Sequence, residues 1–201
     1  MQFISCSNDK IFAKKLAKRY NKPYSKLIVR NFPDGELYIR FPEDIKNKDI
    51  ILVQTFHGDI HSQILEVIFA AYTAKRIGAK KIYLLSTYLP YFRQDKEFHR
   101  GESISIDILN ELFKNCIDRI FVVNPHLHRR KKINKAFTFP AQVIDETHAI
   151  SGFIKNKIKN PILIGPDIES KQWVEPIANF IKAKFIILKK KRYSSRKVVI
   201  N

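Results

Sequence analysis

The stretch PYFRQDK, residues 90–96, places an arginine, an amide, a carboxylate and a lysine in a row. It follows the apolar run KKIYLLSTYL, which reads as a buried strand. Arg93 can bind phosphate oxygens through two parallel N–H groups, and Lys96 can add a point charge. Asp95 would repel phosphate directly, so we expect it to orient Arg93 or to bind a water molecule on a metal ion. The bland alternative is a solvated loop with a weak surface ion pair.

Polar residues also follow three other apolar runs. These stretches are NFPDGE after KLIVR, NPHLH after RIFVV, and PDIES after PILIG. Ligands of open α/β sheets bind at the carboxyl ends of the strands. The four polar stretches are therefore candidates for a binding site, and this placement favours a functional role for PYFRQDK over a solvated loop.

Single residues in these stretches allow two interpretations each. Phe32, beside a Pro-Asp-Gly turn, could belong to the core or stack on a base. His126 follows a strand and a proline, where either a structural role or a metal or general-base role is open. The pair formed with His128 does not predict zinc, because no Cys or carboxylate lies nearby in the sequence. Asp167 suits a helix N-cap, and its carboxylate would equally suit a hard cation such as Mg²⁺.

The segment KKKRYSSRK, residues 189–197, is strongly cationic and follows an apolar strand. It is either a solvated, fraying tail or a mobile loop that closes on a polyphosphate. Neither G-x-x-x-x-G-K-[ST] nor G-x-G-x-x-G occurs in the chain. If a nucleotide binds, it does so without those loops.

The elements that must position these residues alternate between strands and helices. Runs rich in Ile, Val and Leu alternate with helical patterns, which is typical of a parallel sheet covered on both faces. We predict that SKLIVRNF and ELYIRF form two strands around the Pro-Asp-Gly turn. We also predict that Asn8 caps the first helix, and that Ser103 or Ser105 caps the helix SISIDILNELFKN. Pro176 falls inside a further helical pattern, where it would be unfavourable.

The beginning and the end of the chain repeat one order of elements. A strand, a capping residue, a helix and two strands occur in both places, and further strands and helices continue only the first copy. We therefore predict an α/β protein with an N-terminal domain at 1–145 and an incomplete second copy of the same fold at 146–201.

Composition restricts the partners of the chain. Lys+Arg is 37 against 19 Asp+Glu, so the net charge is +18 and an anionic partner is favoured. A Lys-rich composition of the source proteome would contribute to the same excess. Cys6 and Cys116 form no C-x-x-C pair, and we expect buried thiols rather than a disulfide. Because there is no signal-peptide pattern and no apolar run of about 20 residues, we expect a soluble, cytoplasmic protein without a membrane contact.

The motifs FPDGE, PYFRQDK, GESISIDILNELF, NPH, GPD and KKKRY together resemble the ribose-phosphate diphosphokinase family, also called phosphoribosyl pyrophosphate synthetases. The resemblance extends from Met1 nearly to the end of the chain, and PYFRQDK is its most specific part. It implies two tandem phosphoribosyltransferase-like domains, which agrees with the repeated order of elements. The second of these would here be C-terminally truncated.

The resemblance implies a role for individual residues. ATP would be held by Phe32 stacked on adenine, with Asp34 and Glu36 near the adenine edge, in a loop that often reaches a neighbouring subunit. The ATP phosphates would be held by Arg93, Gln94 and Asp95. His126 and Asp167 would serve the Mg²⁺ and substrate region, and Lys190 and Arg192 would stabilise the transferring phosphates from a flexible loop.

The sequence departs from the family pattern in three places. The Asp-Asp loop with a Thr-Gly-Gly-Thr-like turn, which grips ribose 5-phosphate in the family, does not occur in these residues, and IDETHA does not replace it. PDIES lacks the glycine that usually follows the Pro-Asp. NPHLHRRKKINK replaces a usually more apolar stretch. The resemblance therefore implies an ATP side that is kept and a sugar-phosphate side that is absent.

Several functions follow from these observations. The leading hypothesis is transfer of pyrophosphate from ATP to ribose 5-phosphate, with weak or no activity for this chain alone. A second is a non-catalytic subunit that joins a full-length homologue; a homo-oligomer is the other expected assembly. Nucleic-acid binding has only the charge in its favour, since no stacking platform or recognition helix stands out. A degraded gene fragment is a further alternative.

Overall fold

The computed structural model describes residues 1–125, 127, 132–192 and 198–200, with only the backbone described for 190–192 and 198–200. The chain forms two compact units, Met1–Ile144 and Asp145–Asn201. No helix in the described part of the chain is long and apolar enough to cross a bilayer.

A parallel sheet of six strands forms the centre of the first unit. The strands of this unit are β1 (Gln2–Ser5), β2 (Tyr24–Lys26), β3 (Ile28–Asn31), β4 (Leu37–Arg40), β5 (Asp49–Val53), β6 (Lys81–Ser86), β7 (Arg119–Val123) and β8 (Ala141–Ile144). The sheet has the order β2-β1-β5-β6-β7-β8, and every neighbouring pair is parallel. The prediction of an α/β fold with a parallel sheet is confirmed. The strand β8, which completes one edge, was not predicted.

Helices cover both faces of this sheet. They are α1 (Lys10–Arg19), α2 (Ile60–Arg76) and α3 (Ser105–Lys114). The two faces of the sheet pack in two separate cores. Residues of β5 alternate between these cores, because successive side chains of a strand point to opposite faces. Ile50 and Leu52 pack in the larger core with α2 and α3, whereas Ile51 and Val53 pack in a smaller core with α1. Three buried alanines of α2, at 70, 71 and 74, belong to the larger core.

The α1 face of the sheet is only partly covered. A groove of about 820 Å³ remains beside α1, and it is bordered by β1, β5, β6, β7 and β8. Its lining is mainly apolar, with Phe3, Tyr83 and Phe121 on the strands and Leu16 on the helix. None of the predicted site residues whose side chains the structure describes lines this groove.

Helix α2 has well-defined ends. At its start, the carboxylate of Asp59 accepts hydrogen bonds from the backbone N–H of Ser62 at 3.2 Å and from its hydroxyl at 2.6 Å. These bonds to Ser62 lower the pKa of Asp59. At its end, Gly78 has a φ of 90°, which an L side chain rarely adopts. The helix is thus closed by a polar cap and a glycine.

Two predicted helix caps are wrong. Asp9 is the N-cap of α1, and its side chain makes no capping hydrogen bond. The side chain of Asn8 donates instead to the carbonyls of Thr55 and His57, which follow β5. Helix α3 begins at Ser105 with Ile104 as its N-cap, again without a capping side chain.

The segment predicted as one strand, SKLIVRNF, is two strands. β2 ends at Lys26 as an edge of the parallel sheet, and β3 begins at Ile28 and pairs antiparallel with β4. Leu27, between them, is fully buried, and its N–H donates to the carbonyl of Ser5 at 2.9 Å. After this buried residue the chain leaves the six-stranded sheet and forms a separate hairpin.

The second unit repeats part of this order. Its elements are α4 (Thr147–Lys157), β9 (Ile162–Gly165), α5 (Lys171–Ile181), β10 (Lys184–Ile187), β11 (Lys190–Arg192) and β12 (Val198–Ile200). β9 and β10 are parallel, as are β1 and β2, and β11 and β12 form an antiparallel pair, as do β3 and β4. Pro176 lies inside α5 without ending it. The rings of His148 and Phe180, 4.7 Å apart, join α4 and α5.

Candidate functional site

A polar network joins the carboxyl ends of the central strands. Asn8, after β1, donates through Nδ2 to the carbonyl of Thr55 at 2.9 Å. Gln54 donates through Nε2 to the hydroxyl of Ser7 at 3.3 Å. The hydroxyls of Thr55, after β5, and Thr87, after β6, are hydrogen-bonded to each other. The edge of the sheet where ligands bind in this class of fold is therefore held by short polar side chains.

Glu66 is a buried carboxylate beneath this network. It is 3% exposed, and its Oε1 accepts a hydrogen bond from the backbone N–H of Ser7 at 2.7 Å. Burial raises the pKa of Glu66, and the hydrogen bonds from Ser7 and Cys6 only partly oppose this effect. Cys6 is fully buried, and burial together with the nearby Glu66 raises the pKa of its thiol. Both predicted buried thiols are confirmed, since Cys116 is buried as well.

Phe32, Asp34 and Glu36 lie in one tight turn between β3 and β4. The N–H of Phe32 donates to the carbonyl of Glu36 at 2.8 Å, and Asp34 Oδ1 accepts from the N–H of Glu36 at 3.1 Å. Gly35 closes the turn with a φ of 94°. Phe32 is 47% exposed, so it is not part of the core. An exposed aromatic ring and two carboxylates therefore share one turn.

The stem of this hairpin orders Phe32. The ring of Tyr38 meets the ring of Phe32 edge to face at 5.8 Å. The guanidinium of Arg30 lies 4.2 Å from the centroid of the same Tyr38 ring. Such contacts are weakly stabilising when exposed. They leave part of the Phe32 ring accessible.

The stretch PYFRQDK forms a loop after β6 that is anchored by its apolar residues. Leu89 and Phe92 are buried in the larger core, and the rings of Phe92 and Phe137 are 6.1 Å apart. Tyr91 adopts a φ of 67°, and its hydroxyl is 2.7 Å from Nδ1 of His61 in α2. The buried ring of Phe92, directly after Tyr91 in its left-handed conformation, fixes the backbone position at which the polar residues begin.

The polar part of this loop faces outward. Arg93 is exposed, whereas Gln94 and Asp95 are half-buried. Glu102 closes the far end of the loop by accepting from the backbone N–H groups of Phe98 and His99 at 2.9 and 3.1 Å. These two bonds hold the pKa of Glu102 below its usual range, with smaller contributions from His99 and Gln94. Arg93 is thus an accessible cation on a loop closed at both ends.

The two predicted metal residues have different outcomes. His126 lies outside the described residues, as does His128. Asp167, in the second unit, caps a short 3-10 helix, Ile168–Ser170, and its Oδ1 accepts from the N–H of Ser170 at 3.0 Å. The N-cap interpretation of Asp167 is confirmed, and a role toward Mg²⁺ stays a prediction. Within 1–125, 127, 132–192 and 198–200, no group of three or more His, Cys, Asp or Glu side chains could hold a metal ion.

Lys190 and Arg192 lie at the two ends of β11. They pair with Ile200 and Val198 of β12, so their backbone is in a strand rather than in a loop. The predicted loop 189–197 includes residues 193–197, which lie outside the described residues. The catalytic role predicted for both cations stays a prediction.

The structure thus groups the predicted ATP residues into two local sets: the turn with Phe32, Asp34 and Glu36, and the loop with Arg93, Gln94 and Asp95. Sequence reasoning missed the network of Ser7, Asn8, Gln54, Thr55 and Thr87, and the buried Glu66. The available signal was the position of short polar residues directly after the apolar runs of β1, β5 and β6.

Comparisons with known proteins agree with this architecture. A family model described as the N-terminal domain of ribose phosphate pyrophosphokinase matches residues 1–116. Ribose-phosphate pyrophosphokinase of Saccharolobus solfataricus is 33% identical over 178 residues, which are 88% of this chain and 60% of that protein. The protein of the same name from Thermoplasma acidophilum is 28% identical over 204 residues, with 98% of this chain and 67% of that protein covered.

A solved structure shares the fold. The crystal structure of phosphoribosylpyrophosphate synthetase from Mycobacterium smegmatis matches all of this chain and 66% of that chain, with a TM-score of 0.81 and 22% identity. The chain spans about 60% of the length of the first curated relatives that it matches. On the match of the family model to more than half of its residues, the chain belongs to the ribose-phosphate pyrophosphokinase family.

Proposed function

We propose that this chain binds ATP and contributes the ATP side of a ribose-phosphate diphosphokinase. The observation that carries the proposal is the loop after β6, where the exposed Arg93 follows an anchored apolar segment at the carboxyl end of the sheet. Arginine at such a place binds phosphate oxygens bidentately. The exposed ring of Phe32 would stack on adenine, as aromatic rings do on bases.

The proposed reaction transfers pyrophosphate from ATP to the anomeric hydroxyl of ribose 5-phosphate. That hydroxyl attacks the β-phosphorus, the bond to the α-phosphate oxygen breaks, and AMP leaves. Negative charge grows on the non-bridging and leaving oxygens, so positioning and cations supply most of the catalysis. Arg93, Lys190 and Arg192 are the residues that we assign to this task.

Mg²⁺ is the proposed cofactor, bound mainly through the ATP phosphates. This ion usually keeps several waters and takes only one or two protein carboxylates. The described residues contain no cluster of three or more metal-ligating side chains, and an ion held mainly by ATP phosphates and water does not need one. Asp167 and His126 are the proposed protein contacts, and the ion would neutralise charge on the transferring phosphates.

The acceptor side is different, because no Asp-Asp…Thr-Gly-Gly-Thr segment occurs in these 201 residues. We therefore propose that the 201-residue chain alone releases AMP weakly or not at all. A second candidate role is that of a non-catalytic subunit of an intact synthetase, joined through the exposed turn of Phe32. That role is favoured by a turn that keeps Phe32 accessible while its residues bond to each other.

ATP binding is tested by calorimetric titration with Mg²⁺ present. Arg93→Ala should weaken ATP binding by about 10- to 100-fold, the effect of losing a charge-assisted bidentate contact. Arg100→Ala removes another exposed arginine of the same connection and should leave the affinity unchanged. Equal losses of affinity in both variants would mean that ATP binds through the overall positive charge and not through Arg93. The absence of measurable ATP binding by the unmodified chain would overturn the proposal.

Turnover is tested separately by AMP release from ATP, Mg²⁺ and ribose 5-phosphate. The unmodified chain should release little AMP. Addition of a full-length relative would distinguish the two roles, since a subunit should co-purify with it. Robust turnover by the 201-residue chain alone would contradict the proposed weak activity.

A further inference from the structure

We propose that the groove beside α1 binds a helix from outside these 201 residues, namely the helix that follows the last strand of a complete second copy of the fold. The groove has a volume of about 820 Å³ and a mainly apolar lining. A large exposed apolar surface of this kind marks an interaction site. Its occupant is inferred from the way in which the second unit covers the same position.

The helices α1 and α5 end in the same way. The N–H of Lys22 donates to the carbonyl of Ala17 at 2.9 Å, and the N–H of Ala183 donates to the carbonyl of Ala178 at the same distance. Each bond closes a Schellman motif, and both alanines are buried. Helix α5 of the second unit is therefore the counterpart of α1 of the first unit.

The strands beside these helices repeat as well. The N–H of Leu27 donates to the carbonyl of Ser5 at 2.9 Å, and the N–H of Leu188 donates to the carbonyl of Gly165 at 2.8 Å. In both units an antiparallel pair of strands follows, β3 with β4 and β11 with β12. Because the second unit repeats the first down to single hydrogen bonds, its additional helix α4 shows what the position beside α1 accepts.

Helix α4 packs beside α5 in the second unit. The rings of His148 and Phe180 meet edge to face with centroids 4.7 Å apart, and Ser151 of α4 is fully buried. In the chain, α4 directly follows β8, the last strand of the six-stranded sheet. A helix that comes after the last strand of one copy thus lies beside the first helix of the other copy. The equivalent position beside α1 is the groove, and the 201 residues contain no helix after β12 to fill it.

The width of the groove fits one helix. Neighbouring strands lie about 4.8 Å apart, so β6, β7 and β8 span about 10 Å. An α-helix with its side chains has a diameter of about 10–12 Å. Tyr83 and Phe121 form the floor with their rings 6.2 Å apart, and Leu16 of α1 lies at its side. An apolar floor beside a helix suits the apolar stripe of a second, amphipathic helix.

The rim of the groove adds a requirement on charge. Lys22 and Arg119 are exposed at its border, and Lys81 is paired there with Asp118 at 2.9 Å. The whole chain has a net charge of +18. We therefore expect acidic residues on the polar face of the bound helix. A second copy of this chain is disfavoured as the occupant, because two copies with this charge repel each other.

The probe for the test is a synthetic peptide from the C-terminus of the Saccharolobus solfataricus relative, of which this chain covers only 60%. A length of about 30 residues leaves room for one helix of ordinary length and its flanks. Fluorescence anisotropy of the labelled peptide should rise on titration with the 201-residue chain, with a Kd on the order of 10–100 µM. The same residues in scrambled order should not bind. ATP is left out, so the result does not depend on the proposed function.

Two matched substitutions of isoleucine locate the binding surface. Ile144 lines the groove at the end of β8, whereas Ile11 is an exposed residue of α1 that does not line it. Ile144→Glu should weaken peptide binding by at least about 10-fold, because a docked helix would bury the new charge. Ile11→Glu should bind the peptide like the unmodified chain. Tyr20→Ser removes an exposed ring of the groove without adding charge and should also weaken binding.

Far-UV circular dichroism checks that each variant is folded. The absence of saturable peptide binding would overturn the proposal, as would binding that survives both Ile144→Glu and Tyr20→Ser. Equal weakening by Ile11→Glu and Ile144→Glu would also overturn it, since the peptide would then respond to charge and not to the groove. Sedimentation velocity of the chain alone gives a last check. Dimerisation that Ile144→Glu abolishes would place a second copy in the groove and contradict the proposed occupant.

Discussion

The backbone N–H of Ser7, at the end of β1, donates a hydrogen bond to Oε1 of Glu66 in α2 at 2.7 Å. This bond connects the carboxyl edge of the sheet to helix α2. Glu66 is nevertheless buried, and its pKa is raised. The cost of burying its charge is therefore a property that experiments can detect.

We expect the stability of the protein to fall as the pH rises above about 4.5, the ordinary value for Glu66. A raised pKa means that the folded state binds the proton more tightly, so the stabilisation is present below that value and is lost through the raised pKa. Glu66→Gln keeps an acceptor for Ser7 without this titration. Urea unfolding at pH 5 and pH 8 should show that the stability of Glu66→Gln, relative to that of the unmodified chain, is higher at pH 8 than at pH 5.

The neighbours of Glu66 define what would contradict this expectation. Lys26 lowers the pKa of Glu66 through its charge, and Cys6 lowers it through its hydrogen bond, although burial outweighs both. If the difference between the two proteins does not change with pH, Glu66 has the same pKa in the folded and unfolded chain.

Phe32→Ala should reduce ATP affinity by about 10-fold, because stacking of a base on an aromatic ring contributes roughly 1–3 kcal/mol. The free energy of unfolding should change by less than about 0.5 kcal/mol, since the ring is half-exposed. Phe153→Ala removes another exposed ring, in α4, and serves as the control. Calorimetric titration with ATP measures the first effect. Unchanged affinity would remove Phe32 from the site.

Two substitutions of Asp167 separate its cap from its proposed role toward Mg²⁺. Asp167→Asn keeps an oxygen that can accept from Ser170, so stability should change little. Asp167→Ala removes the cap and should cost about 1 kcal/mol. If Asp167 also serves Mg²⁺, both variants should weaken the dependence of ATP binding on Mg²⁺. Normal Mg²⁺ dependence in Asp167→Asn would leave only the structural role.

Gly165→Ala should destabilise the second unit by roughly 1–3 kcal/mol, the usual cost of overpacking. A Cβ there would lie 2.3 Å from Oγ of Ser170 and 2.6 Å from Cδ1 of Ile187. Gly152→Ala places a Cβ in open space inside α4 and should stabilise that helix by about 0.5–1 kcal/mol. Thermal and urea unfolding compare the two. Equal effects would mean that the close approach at Gly165 relaxes without cost.

The sequence predicts the elements that depend on residues close together in the chain. Buried strands such as β5 and β6 are continuous apolar runs, and Gly78 marks the end of α2. The division of SKLIVRNF into two strands at Leu27 was not visible, because the run is uniformly strand-like. The pairing that divides the run is distant in sequence, because Leu27 still donates to the carbonyl of Ser5 at the end of β1, whereas Ile28 already pairs with Arg40 of β4.

The candidate site shows the same limit. The motif residues from 90 to 96 were recognised because they form one unusual stretch. Asn8 was expected to cap the next helix, yet its amide donates to carbonyls after β5, which are far along the chain. Sequence spacing alone gives no measure of such competition between a local cap and a distant partner.

The hairpin of β3 and β4 is anchored in the first unit by the buried residues Leu27 and Phe41, and Val29 and Ile39 of its strands also pack against the larger core. Beyond these anchors it shares no hydrogen-bonded strand pair with the six-stranded sheet in the described part of the chain. Residue pairs could therefore be added beyond the pair of Val29 and Ile39 without disturbing the register of the sheet. The length of the outer part of the hairpin can change while its base stays packed, so proteins with the same core can present the tip aromatic ring at different distances from it.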